Sequence, residues 1–178
     1  MAEHGSADES LLAAAGQGNM EAFAELVKRH QGWAWRLAFR FLGEAQISED
    51  VVQEAFLRLF RAAPRFSPRA AFRTYFYRII ARLCLDQARK KHPRFTDRPP
   101  EPADPAPDAA GRIIEQETSA AVRAALDELP DNQRMAVVLR YYEALDYRSI
   151  GETLEISPKA VERLLARARM RLGVLLKT

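Results

Sequence analysis

Asp146-Tyr147-Arg148-Ser149-Ile150-Gly151-Glu152-Thr153-Leu154-Glu155-Ile156-Ser157-Pro158-Lys159-Ala160-Val161-Glu162-Arg163-Leu164-Leu165 is the stretch that decides the fold. Ile150, Leu154, Val161 and Leu165 recur at helical spacing on either side of a short break. Ser157 before Pro158 predicts the start of a second helix: the Ser side chain satisfies an unpaired N–H of the first turn, and Pro at the first helical position has no N–H to lose. A short helix, a tight turn and a second helix make a helix-turn-helix, which presents side chains to the major groove of DNA. Lys159, Glu162 and Arg163 are its candidate base contacts. Arg suits guanine and Glu suits cytosine, each good pair discriminating by about 1–3 kcal/mol. Arg167, Arg169 and Arg171 come later in the helix, where phosphate is the nearer partner.

Helical spacing continues outward along almost the whole chain, and strand-like alternation bounded by turn residues is missing, so the expected fold is all-α. A first module over residues 1–91 reads as a helix from about Asp8 to Gly16, a long helix from Met20 to Leu42, and a third running to about Ala62. Ser48 is the expected N-cap of the third, with Glu49 and Asp50 in its first turn. Pro64 and Pro68 then interrupt the pattern, and helicity resumes from about Ala71 to Lys90 with Phe72, Tyr75, Phe76, Ile79, Ile80 and Leu83 on its core side. Residues 92–112 change character: six prolines from Pro93 to Pro107 alternate with Asp97, Glu101, Asp104 and Asp108. This is a semi-extended linker, and some twenty residues at about 3.1 Å each would reach on the order of 60 Å. A second module, 113–178, holds a helix from Ile113 to Leu126, another opened by Pro130 and running to about Glu143, and the helix-turn-helix.

Charge is unevenly placed. Residues 1–57 carry nine acids and four bases, whereas residues 58–94 carry eleven bases and the single acid Asp86. Such asymmetry suggests one surface for a polyanion and another for something basic. On the third helix, Val52, Ala55, Phe56, Leu59 and Phe60 form the buried stripe, leaving Asp50, Gln53, Glu54, Leu57 and Arg61 on another face. An outward leucine among acids fits a docking patch for a basic protein surface; a solvated face with one stray leucine fits the spacing equally. On the fourth helix Arg78, Arg82 and Arg89 line up on one side, and Arg65, Arg69 and Arg73 extend that positive surface. It could follow a phosphate backbone while Phe66, Tyr75 or Tyr77 stack on bases for about 1–3 kcal/mol each.

Cys84 is the one cysteine and falls in an apolar helical pattern, which predicts plain core packing. His4, His30 and His92 are scattered, and there is no Gly-rich phosphate loop, so neither a cofactor nor catalysis by this chain is expected. No signal peptide and no apolar run of membrane-spanning length is present, which predicts a cytoplasmic protein without membrane contact of its own.

Three stretches, in order, resemble one family. Ser48-Glu49-Asp50-Val51-Val52-Gln53-Glu54-Ala55-Phe56-Leu57-Arg58-Leu59 is similar to region 2.2 of the extracytoplasmic-function (ECF) bacterial RNA polymerase sigma factors. Phe72-Arg73-Thr74-Tyr75-Phe76-Tyr77-Arg78-Ile79, with Leu85-Asp86 and Arg89-Lys90, resembles regions 2.3 and 2.4, and Leu126-Asp127-Glu128-Leu129-Pro130-Asp131-Asn132-Gln133-Arg134 resembles the opening of region 4. The resemblance implies a sigma factor that gives core RNA polymerase its promoter selectivity. Asp50, Gln53, Glu54, Leu57 and Arg61 would dock on the β′ clamp helices, with a further contact to the β flap. Arg65, Phe66, Arg69, Arg73, Tyr75, Tyr77, Arg78, Arg82 and Arg89 would hold the single-stranded −10 element, one base flipped into a pocket. Arg148, Ser157, Lys159, Ala160, Glu162, Arg163 and Arg167 would hold the −35 duplex.

The resemblance also implies a monomer when free, an acidic linker threaded into the polymerase's RNA channel, and in many relatives an anti-sigma factor; composition alone fits a plain tether equally well. The chain departs from the family at Lys159-Ala160-Val161-Glu162-Arg163-Leu164, where members often show Gly-Thr-Val-Lys-Ser-Arg, and at Tyr75, where many carry Trp. The competing reading is a polymerase-independent helix-turn-helix regulator, which would need a dimer surface and a palindromic operator. It gives no reason for the acid-rich face.

Overall fold

The computed structural model describes residues 3–66, 71–91 and 120–176, and every regular element among them is helical. The first module contains α1 (Glu3–Gly16), α2 (Met20–Leu42), α3 (Ala45–Ala62), a 3-10 turn at Ala63–Arg65, and α4 (Phe72–Lys91). Asn19 caps α2, its side chain accepting from Ala22 N at 3.0 Å. Gly43 ends it in the left-handed region at φ 73, where its N–H reaches Phe39 O; a side chain there would be strained.

α3 starts a turn earlier than the expected cap. Gly43 and Glu44 already turn the chain, so Ser48 lies inside the helix, buried, with Oγ donating to Glu44 O at 2.6 Å. The hydroxyl finds its partner on the carbonyl four residues back and has no capping role. Leu26, Leu37, Phe41, Leu59, Phe72, Phe76 and Ile80 are buried to 1% exposure or less and form the centre of this module. Each such side chain contributes about 1.5–3 kcal/mol relative to exposure. Phe60, expected in the buried stripe, is half-buried, its ring edge-on to Phe23 at 5.0 Å.

In the second module α5 is described over 120–127; residues 113–119 and the 92–112 linker lie outside the described residues. Pro130 stands at the cap of α6 (Asp131–Val137), which widens into a π-turn at Val138–Tyr142 that the periodicity does not announce. Asp146 caps α7 (Tyr147–Leu154), accepting from Ser149 N at 2.7 Å, and Ser157 caps α8 (Pro158–Leu175), accepting from Ala160 N at 3.2 Å. A Cβ on Gly151 would stand 2.7 Å from Ile156 O, so the turn between the two helices closes only around a glycine. Leu126, Leu129, Met135, Val138, Leu139, Ile150, Val161 and Leu165 are buried, while Val122, Leu154 and Ile156 are half-buried at the margin.

The modules pack on each other: α4 lies against α7 and α6, and α2 against the π-turn. Glu143 is the polar hinge pin of this contact. One of its oxygens accepts from Arg40 Nη1 at 3.0 Å and the other from Tyr77 Oη at 2.9 Å. Arg134, itself tied to Asp127 at 2.8 Å and Asp131 at 3.1 Å, sets its guanidinium 4.5 Å from the centre of the Phe41 ring. Along α4, Tyr77, Ala81, Cys84 and Ala88 form one buried stripe under this contact. Cys84 is fully buried, and burial pushes its thiol well above the ordinary range.

Candidate nucleic-acid interface

A cleft of about 500 Å³ opens between the end of α3, the 3-10 turn and α4, lined by Arg58, Arg61, Ala62, Arg65, Phe66, Tyr75 and Arg78. The Phe66 and Tyr75 rings stand 5.5 Å apart at 58°, and the Arg78 guanidinium lies 5.3 Å from the Tyr75 ring centre. Four cations around two half-buried rings can hold phosphate and stack a base at the same place. Arg65, Phe66, Tyr75 and Arg78 thus come together as expected. Arg61, expected on the polymerase face, also lines this cleft, since it lies one turn beyond Leu57 where α3 meets the 3-10 turn. Arg58 was missed; its spacing three residues before Arg61 was the available signal. Arg69 lies outside the described residues.

Tyr77 takes a different position from the one its sequence suggested. It is 1% exposed, its hydroxyl is spent on Glu143, and burial first and the Glu143 charge second push its phenol up to about 12. Two residues from Tyr75 on a helix, it faces the second module, out of reach of a base in this arrangement. Arg73 stays exposed, with its guanidinium 5.6 Å from the Trp33 ring and 5.7 Å from the Tyr77 ring.

Arg78, Arg82 and Arg89 do share one side of α4. That side fronts a second groove whose other wall is Thr153, Glu155, Ile156 and Leu164 of the helix-turn-helix. Arg78 Nη1 lies 3.9 Å from Glu155 Oε1, and Arg89 pairs with Asp86 at 3.5 Å. An acid of the second module therefore occupies part of the first module's positive surface.

The acid-rich face of α3 is present. Leu57 is 50% exposed, Asp50 and Gln53 are exposed, and Glu54 accepts from Arg58 Nε at 2.8 Å, a bond that holds its carboxyl below the usual carboxylate range. Gln53 also borders a groove against α2 with Gln31, Trp35, Arg36 and Glu49. Trp35 is a candidate the sequence reading missed; its flat stacking on Phe39, rings 4.9 Å apart, is an i,i+4 pairing legible in hindsight. On α8, Lys159, Glu162, Arg163 and Arg167 are exposed, while Ser157 serves as cap and Ala160 is half-buried behind it. Arg148 is exposed on α7 and pairs with Glu152 at 3.2 Å.

Residues 26–94 match the Sigma-70 region 2 family and residues 119–172 the Sigma-70 region 4 family. The chain is 36% identical over 160 residues to the ECF RNA polymerase sigma factor SigE of Mycolicibacterium smegmatis, covering 88% of this chain and 62% of SigE. It is 31% identical over 166 residues to the ECF RNA polymerase sigma factor SigW of Bacillus subtilis, covering 86% of this chain and 88% of SigW. It is also similar to CnrH in its solved complex with the cytosolic domain of CnrY, at a TM-score of 0.71 and 30% identity over 96% of this chain and 97% of that one. With two family matches in the expected order, near-full-length likeness to SigW and a shared fold, the chain belongs to the ECF RNA polymerase sigma factors.

Proposed function

We propose that this chain binds core RNA polymerase and selects promoters, residues 1–91 handling polymerase and the −10 strand and residues 113–178 the −35 duplex. The observation that carries this is the pairing on one chain of a cation-and-ring cleft, suited to an unstacked base, with an exposed basic recognition helix, suited to duplex. Asp50, Gln53, Glu54 and Leu57 form the face offered to the β′ clamp helices, extended by Trp35 across the α2–α3 groove. Arg58, Arg61, Arg65 and Arg78 take phosphate while Phe66 and Tyr75 receive a base. Flipping a base costs a few kcal/mol, which the cleft and polymerase binding together offset. Lys159, Glu162 and Arg163 read base edges, and Arg167 and Arg148 meet phosphate. The bond-making chemistry is the polymerase's; this chain supplies selectivity.

No helix among the described residues is long and apolar enough to cross a membrane, and work on polymerase would place the protein in the cytoplasm. CnrH is seen with the cytosolic domain of another protein, and a protein restraint of that kind on this chain is part of the proposal. The test is run-off transcription on a promoter library by core polymerase with and without the protein, together with gel filtration of the mixture. Co-elution and selective initiation are expected. A protein that never joins core polymerase, yet binds a palindromic duplex by itself, would transfer the assignment to the regulator reading.

A further inference from the structure

α1 reaches both walls of the −10 cleft from behind. Near its end, Gly16 lies so close to the 3-10 turn that a Cβ would stand 2.5 Å from Ala63 O and 2.7 Å from the carbonyl carbon. Half the helix away, Glu9 Oε1 accepts from Phe72 N at 2.6 Å. Phe72 N belongs to the first turn of α4, where N–H groups lack partners within the helix and a carboxylate is favoured by the dipole. The turn at Ala63–Arg65 leads into Phe66, which forms one wall. Tyr75 and Arg78, on the other wall, sit about one and two turns beyond Phe72.

The strut is itself fixed. Leu12 and Ala15 are buried, at 0% and 3% exposure, and Asp8 Oδ1 pairs with Arg29 at 3.3 Å. Asp8 Oδ2 lies 2.9 Å from His30 Nε2, out of line for a full hydrogen bond. His30 Nδ1 accepts from Trp33 Nε1 at 2.8 Å, and its ring lies 4.8 Å from that of Phe72. Phe72 is thus held at both its N–H and its ring. All of α1 precedes residue 26, where the region 2 match begins.

The geometry points to Glu9 as a positioning residue for −10 selection: its carboxylate, seated on Phe72 N while Gly16 abuts Ala63, sets how far the two walls of the cleft stand apart. The inference rests on the proposed use of that cleft, and the experiment separates the two. Open-complex formation is measured for holoenzyme carrying the full chain on two promoter series, one with single changes in the −10 element and one with single changes in the −35 element. Glu9→Ala is expected to lower −10 discrimination about tenfold, the scale of one hydrogen bond to a charged group. Discrimination at −35 and affinity for core polymerase stay as in wild type. Glu9→Gln keeps an acceptor oxygen and is expected to restore most of the loss.

Tyr75→Ala serves as the control on the cleft itself. If Tyr75→Ala loses −10 discrimination and Glu9→Ala keeps it, the role given to Glu9 is overturned and the cleft assignment stands. If neither variant changes −10 discrimination, the cleft assignment falls and takes the inference with it. Equal losses at −10 and −35 in Glu9→Ala, or no rescue by Glu9→Gln, make Glu9 a general stabiliser and also overturn the inference.

Discussion

Replacing Glu143 with alanine removes a second-module acceptor that takes two hydrogen bonds from the first module, one from Arg40 and one from Tyr77. The Glu143 side chain is 7% exposed and that of Arg40 34%, so water takes over much of the loss on the Arg40 side, leaving about 0.5–1 kcal/mol. Tyr77 is 1% exposed, and without Glu143 its hydroxyl keeps only the 3.3 Å contact from Arg73. A buried hydroxyl deprived of its acceptor costs about 1–2 kcal/mol. Together these come to about 2 kcal/mol against the closed arrangement, a shift of roughly thirtyfold between closed and open forms. Spin labels at Lys28 and Arg171, both exposed and on different modules, read that ratio as a distance distribution. Wild type is expected to show one short population and Glu143→Ala a broad, longer one, with Glu143→Gln between them. Identical distributions for all three proteins, with identical thermal midpoints, would refute the claim that Glu143 pins the modules together.

Glu54→Lys combined with Leu57→Ala should weaken binding to core polymerase about tenfold or more, as loss of a central contact does, while far-UV circular dichroism is unchanged; undiminished binding removes that face from the docking surface. Arg163→Ala should relax preference at a single −35 position, whereas a uniform loss across sequences makes Arg163 a phosphate contact. Gly151→Ala places a methyl group against Ile156 O and should destabilise the second module by about 1–3 kcal/mol, seen as a lower denaturant midpoint. With the Tyr77 phenol pushed up to about 12 from 10.0, the folded state favours its neutral form. Its contribution to stability is therefore full below about pH 10 and is lost as pH rises toward 12. Absorbance titration should show one late-ionising tyrosine that disappears in Tyr77→Phe; a late step surviving that substitution contradicts the assignment.

Where a feature depends on neighbours in the chain, the sequence was a good guide. Ser157 caps the helix expected of it because a cap needs only the three residues that follow it, and Gly151 is required by a turn five residues away. Ser48 shows how local reasoning goes astray: a good capping residue lost its position to Gly43 and Glu44, which had already turned the chain. Tyr75 and Tyr77 show what periodicity leaves open. Spacing puts them on different sides of α4, but which side meets DNA depends on where the second module rests, and that is set by Glu143 and Arg134 across a linker of unrelated composition. Arg61 borders the cleft as well for a similar reason, since the 3-10 turn that follows it builds the cleft wall.

Cys84 lies in the α4 stripe that begins at Tyr77 and continues through Ala81, which also borders the groove to the second module. Only the thiolate reacts readily with electrophiles, and burial both hides this sulfur and keeps it protonated. The chain therefore carries a built-in stopwatch: with no engineered residue, the rate at which Cys84 takes up an alkylating dye counts how often α4 is uncovered. Partners that hold the two halves together would slow that clock, and those that draw them apart would speed it.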